Sequence, residues 1–289
     1  MIFSPAPPPP LDVRKRIMSS LENLPPFSPV VRQLLATLSK DEDTISLSSI
    51  ATLIEQDTLS AGRVLGTANS SLYSRGQEIT SVRHAVARLG LNRLRNVVLS
   101  LSVSRICGSL RAPPSFSMAR FNLHSLATAT AAEILGQQTI CEHSEQAFIA
   151  GLFHDIGELL LVHAYPTEYA ALLEGAPLTG KDLEACEHAL FGLTHADISS
   201  AAAAYWNLSE AVQTAVRFHE SPREEDLRKA GFTLSETVHA ADRYADFCGH
   251  SSGVCKCSDD TMPETVLPPG VYDEQIRPTF VQQLTVLRP

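Results

Sequence analysis

Apolar positions along the chain recur at intervals of three and four residues, as in Val30, Leu34, Leu35 and Leu38, then Ile50, Leu53 and Ile54, and later Val82, Val86 and Leu89. That spacing puts one greasy stripe on each of a series of helices. Further helical patterns cover 118–137, 144–163, 181–190, 195–206, 208–219 and 232–248, and no period-two strand pattern separates them. The pattern predicts an all-α fold, a helical bundle of two packed halves. Asp57 and Thr80 stand where helix caps are expected, and Gly90 after Leu89 is suited to close a helix through a left-handed turn.

Punctuation divides the chain. "MIFSPAPPPP" at 1–10 reads as an extended proline-rich lead-in. The prolines of "RAPPSFS" at 111–117 cannot continue a helix, so the helical region 11–250 divides into halves at 11–112 and 113–250. After Gly249 the composition turns to Ser, Cys, Pro and Asp, and residues 251–289 read as a partly disordered tail whose "TFVQQLTVL" is either a docking helix or a disordered end.

Composition narrows the function classes. Of 289 residues, 44% are apolar and 19% charged, an ordinary globular balance. A formal charge of −9 argues against a nucleic-acid interface, which needs clustered cations to displace counterions. The most basic segment, "RLGLNRLRN" at 88–96, reads as a solvated helix face or a partner patch. The apolar run 147–164 is interrupted by His154, Asp155 and Glu158, and the start of the chain lacks the pattern of a signal peptide. No membrane span and a cytoplasmic location are therefore expected. Cys248, His250, Cys255 and Cys257 have zinc-ligand chemistry, but without paired C-x-x-C knuckles they read better as a loop with spare thiols.

The candidate chemistry begins with "GLFHDIGELLLVH" at 151–163, where a His-Asp pair interrupts an apolar run. Such a pair is a hydrogen-bonded core element, a general acid/base pair or half of a metal site. His124, His195, His219 and Asp242 stand on or at the ends of other helices of the second half, and helices of one bundle can bring such side chains to a common point. Imidazole and carboxylate together suit iron, manganese or zinc, whereas calcium wants mostly oxygen. Read singly, each has a plainer role: His124 as a core histidine, His195 and His219 as helix-end residues, Asp242 as a surface carboxylate beside Arg243. On a regular helix His154 and Asp155 would point about 100° apart, flanking one ion between their faces, and Asp155 bridging two ions would also fit.

The order of these motifs resembles the HDOD family, a bacterial signalling branch of the HD metal-dependent phosphohydrolase superfamily. The resemblance covers about residues 20–248 and rests on "LPPFSPVVRQLL", "IEQDTLSAGRVLGTANSSLYS" and "SVRHAVARLGLNRLRNVVLSL" in the first half. In the second half it rests on "HSLATATAAEIL", "AFIAGLFHDIGELLL" and "FGLTHADISSAAAAYW". It implies an HD-like second half in which His124, His154, Asp155 and Asp242 match the superfamily's metal ligands. His195 and His219 fall where the cyclic-dinucleotide phosphodiesterase branch has further histidines, while Phe218 replaces another, which puts a second metal in doubt. Glu158 stands where active relatives carry lysine, and the Gly-Tyr-Pro motif is absent. Both departures argue against cyclic-dinucleotide hydrolysis.

The resemblance thus implies a signal-transduction module acting through protein or ligand binding, with an HD-type metal site retained and a signalling protein as partner. The alternative is a metal-dependent phosphohydrolase acting on a nucleotide or other phosphoester, with His195 or His219 assisting proton transfer or binding phosphate. A third reading makes the whole constellation inert core polarity.

Overall fold

The computed structural model describes residues 10–24, 27, 29–36, 46–74, 76–139, 141–175, 180–222, 232–254 and 276–288. Among them are the helices α1 (Pro10–Glu22), α2 (Pro29–Ala36), α3 (Leu47–Glu55), α4 (Thr58–Ala68) and α5 (Val82–Ser109) of the first half. The second half contains α6 (Met118–Gln138), α7 (Ala147–Phe153), α8 (Ile156–Ala164), α9 (Pro166–Leu173) and α10 (Gly180–Phe191). It continues with α11 (His195–Tyr205), α12 (Glu210–Phe218), α13 (Leu234–Phe247) and α14 (Arg277–Leu287). No strand occurs among the described residues; a single isolated bridge pairs Cys141 with Phe232. The all-α expectation holds.

Local chemistry sets the helix ends. The Asp57 carboxylate accepts from the Leu59 and Ser60 amides, as its place before α4 predicts. The cap of α5 is Ser81, one residue later than expected, and its side chain makes no capping bond. Gly90 does adopt a positive φ of 72°, with ψ at 170°, and closes the first of two helical stretches that meet there at a kink within α5. Capping boxes start α11 at Thr194/Asp197 and α13 at Thr233/Glu236, which fixes where His195 and Asp242 fall along the chain.

Helix α6 is the axis of the second half. From His124 to Gly136 every residue is buried, and the small residues Ala127, Thr128, Ala129, Ala131 and Ala132 let α7 and α13 approach closely. Gly151 of α7 shows how closely: a Cβ there would stand 2.9 Å from the Ala129 Cα. The segment 144–164 is apolar enough to cross a membrane by length and composition, yet it is almost wholly buried in this bundle.

The two halves share one continuous apolar core. Phe27 reaches across to Phe153 and Trp206, with ring centroids 6.1 and 5.0 Å away. The 88–96 arginines, expected to face solvent or a partner, are structural instead. Arg88 donates to the Tyr73 carbonyl, Arg93 pairs with Glu133 of α6 at 2.9 Å and bonds Gln283 of α14, and the buried Arg95 donates to the Glu145 carbonyl. A kinked helix running between both halves has little solvated face to give, so its cations find internal acceptors. Arg93→Ala leaves the buried Glu133 with only Asn96 as partner and is expected to cost about 2 kcal/mol, read as a lower urea midpoint.

The C-terminal "TFVQQLTVL" forms α14, which packs on α6, so it is a docking helix. Cys255 and Cys257 lie outside the described residues.

Candidate metal centre

The apolar run that carries the His-Asp pair is not one regular helix. Helix α7 ends at Phe153, a turn occupies His154 and Asp155, and α8 starts at Ile156, with Asp155 at φ −102° and ψ 12°. The 100° separation expected on a continuous helix therefore does not apply. The turn brings the Nε2 of His154 and the Oδ2 of Asp155 to 3.0 Å on the same side.

Gly157 makes the next approach feasible. A Cβ on it would lie 2.0 Å from the His195 carbonyl oxygen, so only glycine lets α8 start directly against the first turn of α11. The Gly157 amide donates to Ser199 at 2.9 Å, fastening the contact.

All six titratable residues singled out from the sequence converge. The Nε2 of His124 lies 3.0 Å from Asp242 and 3.5 Å from Asp155, that of His154 3.0 Å from Asp155 and 3.5 Å from Asp242, and the two Nε2 atoms are 3.3 Å apart. The other oxygen of Asp155, Oδ1, faces His219 at 3.2 Å and His195 at 3.7 Å. Asp155 thus stands between two histidine pairs. Asp242 is not the surface carboxylate its single-residue reading suggests, because α13 turns it inward.

Each imidazole is oriented from behind. Nδ1 of His124 meets the His250 carbonyl at 2.9 Å, Nδ1 of His154 the Gly151 carbonyl at 2.8 Å, and Nδ1 of His219 the Val216 carbonyl at 2.8 Å. A carbonyl only accepts, so the proton sits on Nδ1 and the lone pair of the neutral ring on Nε2, toward the focus. Nδ1 of His195 meets Glu187 at 2.7 Å, and that carboxylate also receives the His195 amide at 2.7 Å and the Tyr169 hydroxyl at 2.9 Å.

This donor set fits a divalent first-row cation. Donors about 2.0–2.2 Å from one ion, at right-angle or tetrahedral spacing, lie about 2.8–3.6 Å from each other. The separations around His124, His154, Asp155 and Asp242 span 3.0–3.5 Å. Two Nε2 lone pairs at such a distance repel unless a proton or a cation lies between them. On the far side, the Nε2 atoms of His195 and His219 face Asp155 Oδ1 without a well-formed hydrogen bond among the described residues, and Glu158 and Glu220 bring carboxyl oxygens within reach of them.

Electrostatics follow from burial. Burial opposes charging of His154, but Asp155 and Asp242 outweigh it and lift its imidazole to about 10. The same balance raises His124 and, through Glu187, His195. Burial pushes Asp155 and Asp242 up, and the facing histidines overcome it and hold both well below the usual carboxylate range. Without a cation, the histidine contribution to stability is complete below about pH 6.5 and fades as pH rises through the folded value; the carboxylate contribution is present above about pH 4 and fades on acidification. A cation must displace the histidine protons. Its affinity is therefore expected to rise between pH 6 and 9 with proton release, seen as a buffer-dependent enthalpy in Mn²⁺ titration calorimetry.

Glu158 differs from its expected role. It is 2% exposed, and burial first, then the charge of Asp155, pushes its carboxyl well above the usual range. Both causes favour the protonated form of this carboxyl over the charged one.

Sequence reasoning missed Glu187, Asp246 and the role of the His250 carbonyl. Asp246, whose Oδ1 is 3.5 Å from the His124 Nδ1, lies one helical turn after Asp242, a spacing that could have found it. Glu187 sits across a loop from His195, and His250 acts through its backbone; neither carries a local signal.

The helical bundle thus brings a histidine, a His-Asp pair and a distant aspartate to one focus. The family profile of the HDOD domain matches residues 24–222, more than half of the chain, and the chain belongs to that family. The fold is similar to an HDOD domain protein of unknown function from Geobacter sulfurreducens, with a TM-score of 0.71 and 23% identity over 95% of this chain and 88% of that one. It is also similar to a protein from Shewanella amazonensis SB2B provisionally described as a metal-dependent phosphohydrolase (TM-score 0.61, 19% identity, 96% of each chain). A third likeness is to a protein from Marinobacter aquaeolei VT8 provisionally described as a signal transduction protein (TM-score 0.71, 18% identity, 97% of this chain and 66% of that one). An uncharacterized protein of Treponema pallidum (strain Nichols) is 29% identical over 180 residues, 61% of this chain; the match spans about a third (34%) of that relative's length.

Proposed function

We propose that this chain is a regulatory module of bacterial signal transduction whose second half holds a divalent cation, iron, manganese or zinc, at His124, His154, Asp155 and Asp242. The single observation that carries the reading is the backbone carbonyl behind His124 and behind His154, which aims both Nε2 lone pairs at one point between two carboxylates. A bound cation supplies charge that ties α6, the α7–α8 turn and α13 together. The partner is a signalling protein that reads the resulting helical surface. Burial supports a holding role over turnover: His124, His154, His195 and His219 are 3%, 0%, 1% and 1% exposed, so a phosphoester has little direct approach.

The second reading, a metal-dependent phosphohydrolase, is favoured by the Nε2 atoms of His195 and His219, which point to the focus and face Asp155 Oδ1 at 3.7 and 3.2 Å without a well-formed hydrogen bond among the described residues. In that reading the cation would supply Lewis acidity, and the two histidines would bind phosphate or hold a proton at Nε2, with Glu187 orienting His195. Metal analysis of protein purified without a metal-affinity tag, followed by a phosphoester panel with added Mn²⁺, tests both. About one bound ion without turnover is the expected result; turnover abolished by His219→Ala would replace it with the hydrolase, and a protein that binds no divalent ion would end both.

A further inference from the structure

A groove of about 640 Å³ runs between α4 and α14, well within the size of small-ligand sites and away from the histidine focus. Its floor is bare backbone: Gly62 and Gly66 lie one helical turn apart on α4, and a Cβ placed on either would meet nothing within 4 Å. Leu101 of α5 and Val286 of α14 supply apolar walls.

Thr58, Ser70, Ser71 and Thr285 add hydroxyls to the lining, and Arg63 is its cation. Arg63 donates from one terminal nitrogen to the Val286 carbonyl at 3.2 Å and to the Arg288 carbonyl, and its other guanidinium donors have no partner among the described residues. Thr67, one turn after Arg63 on the same face, is 3% exposed, and its hydroxyl has no hydrogen-bond partner. A buried hydroxyl without a partner is uncommon and marks a place where a ligand atom belongs. Among the described residues no Asp or Glu side chain lines the groove, although the chain as a whole carries a net charge of −9.

We propose that this groove binds a small amphipathic anion, whose charged head is held by Arg63 and Thr67 and whose apolar body lies along Gly62 and Gly66 against Leu101. The cation and hydroxyl select an anionic head, and glycines in place of side chains leave room for a flat or linear body. The occupant would touch α14 at Thr285 and Val286. Less than two turns away on that helix, Phe280 packs against the ring of His250, whose carbonyl orients His124. The groove therefore adjoins the segment that aims one of the candidate ligands.

The test uses the full chain and 1-anilinonaphthalene-8-sulfonate, a sulfonate on an apolar aromatic body. Saturable binding at one probe per chain is expected, weakened at least tenfold by Gly66→Leu, whose side chain projects into the groove. Circular dichroism of that variant should match the parent, with a melting temperature equal to or slightly above it because leucine is the better helix former. Arg63→Gln should weaken the sulfonate probe while sparing its uncharged analogue N-phenyl-1-naphthylamine. Competition separates the head groups: displacement by decanoate points to a carboxylate ligand, displacement by phenyl phosphate to a phosphate ligand. Equal sulfonate affinity in Gly66→Leu and parent, or displacement by neither competitor, would overturn the proposal.

Discussion

Gly157→Ala is expected to lower unfolding stability by about 3 kcal/mol, the upper range for forcing volume into a packed contact, and to remove cation binding with it. The added methyl would sit 2.0 Å from the His195 carbonyl oxygen and 2.8 Å from its carbon. Neither atom can yield as a flexible side chain would, because both belong to the first turn of α11. The helices must part, which breaks the Gly157–Ser199 bond and draws His195 off the Oδ1 of Asp155. Gly108→Ala is the control: its Cβ meets nothing within 4 Å on an exposed turn of α5, so the ordinary helix preference of alanine should stabilise by a few tenths of a kcal/mol to about 1 kcal/mol. Urea unfolding of the pair, with bound metal measured on each, checks the prediction. A Gly157→Ala protein as stable as its parent would mean that α8 and α11 do not meet as described.

Asp155→Asn is expected to abolish stoichiometric metal content, with at least a hundredfold loss in Mn²⁺ affinity, more than a residue acting behind the ligands would cost. Its two carboxylate oxygens serve opposite sides, Oδ2 toward His124 and His154 and Oδ1 toward His195 and His219. An amide retains the shape but removes the charge and turns a donor group toward imidazole lone pairs. Asp242→Asn, at the more exposed edge with 18% of its side chain accessible, should weaken binding less. If the constellation were inert core polarity, both variants would shift stability and leave metal content unchanged, because a buried imidazole without its carboxylate costs stability whether or not an ion is involved. Elemental analysis alongside unfolding curves separates these cases.

Much of the architecture was legible in the residues. Helical periodicity gave the all-α class, since each helix must bury a stripe and shows it as three- and four-residue spacing. Asp57 was readable as a cap because its role is local. The site residues were legible as a set, yet the reason for the glycine in "HDIGE" was not: it depends on the His195 carbonyl, thirty-eight positions downstream. The arginines at 88–96 were misread for the same reason, since charge in a sequence does not reveal that Glu133, Gln283 and the Glu145 carbonyl lie opposite. The upward push on the Glu158 carboxyl was not legible either, because it comes from burial and from the charge of Asp155 across the packed turn.

The sequence by itself determined which segments coil and which residues carry metal-binding chemistry, because periodicity, caps and side-chain type act within a few residues. The tertiary structure alone decided that the chain breaks between α7 and α8, that Asp155 serves two histidine pairs, and that Glu187 and the carbonyl of His250 orient their imidazoles. Those features depend on distance and dielectric between groups far apart in the chain, which exist only once the helices have packed.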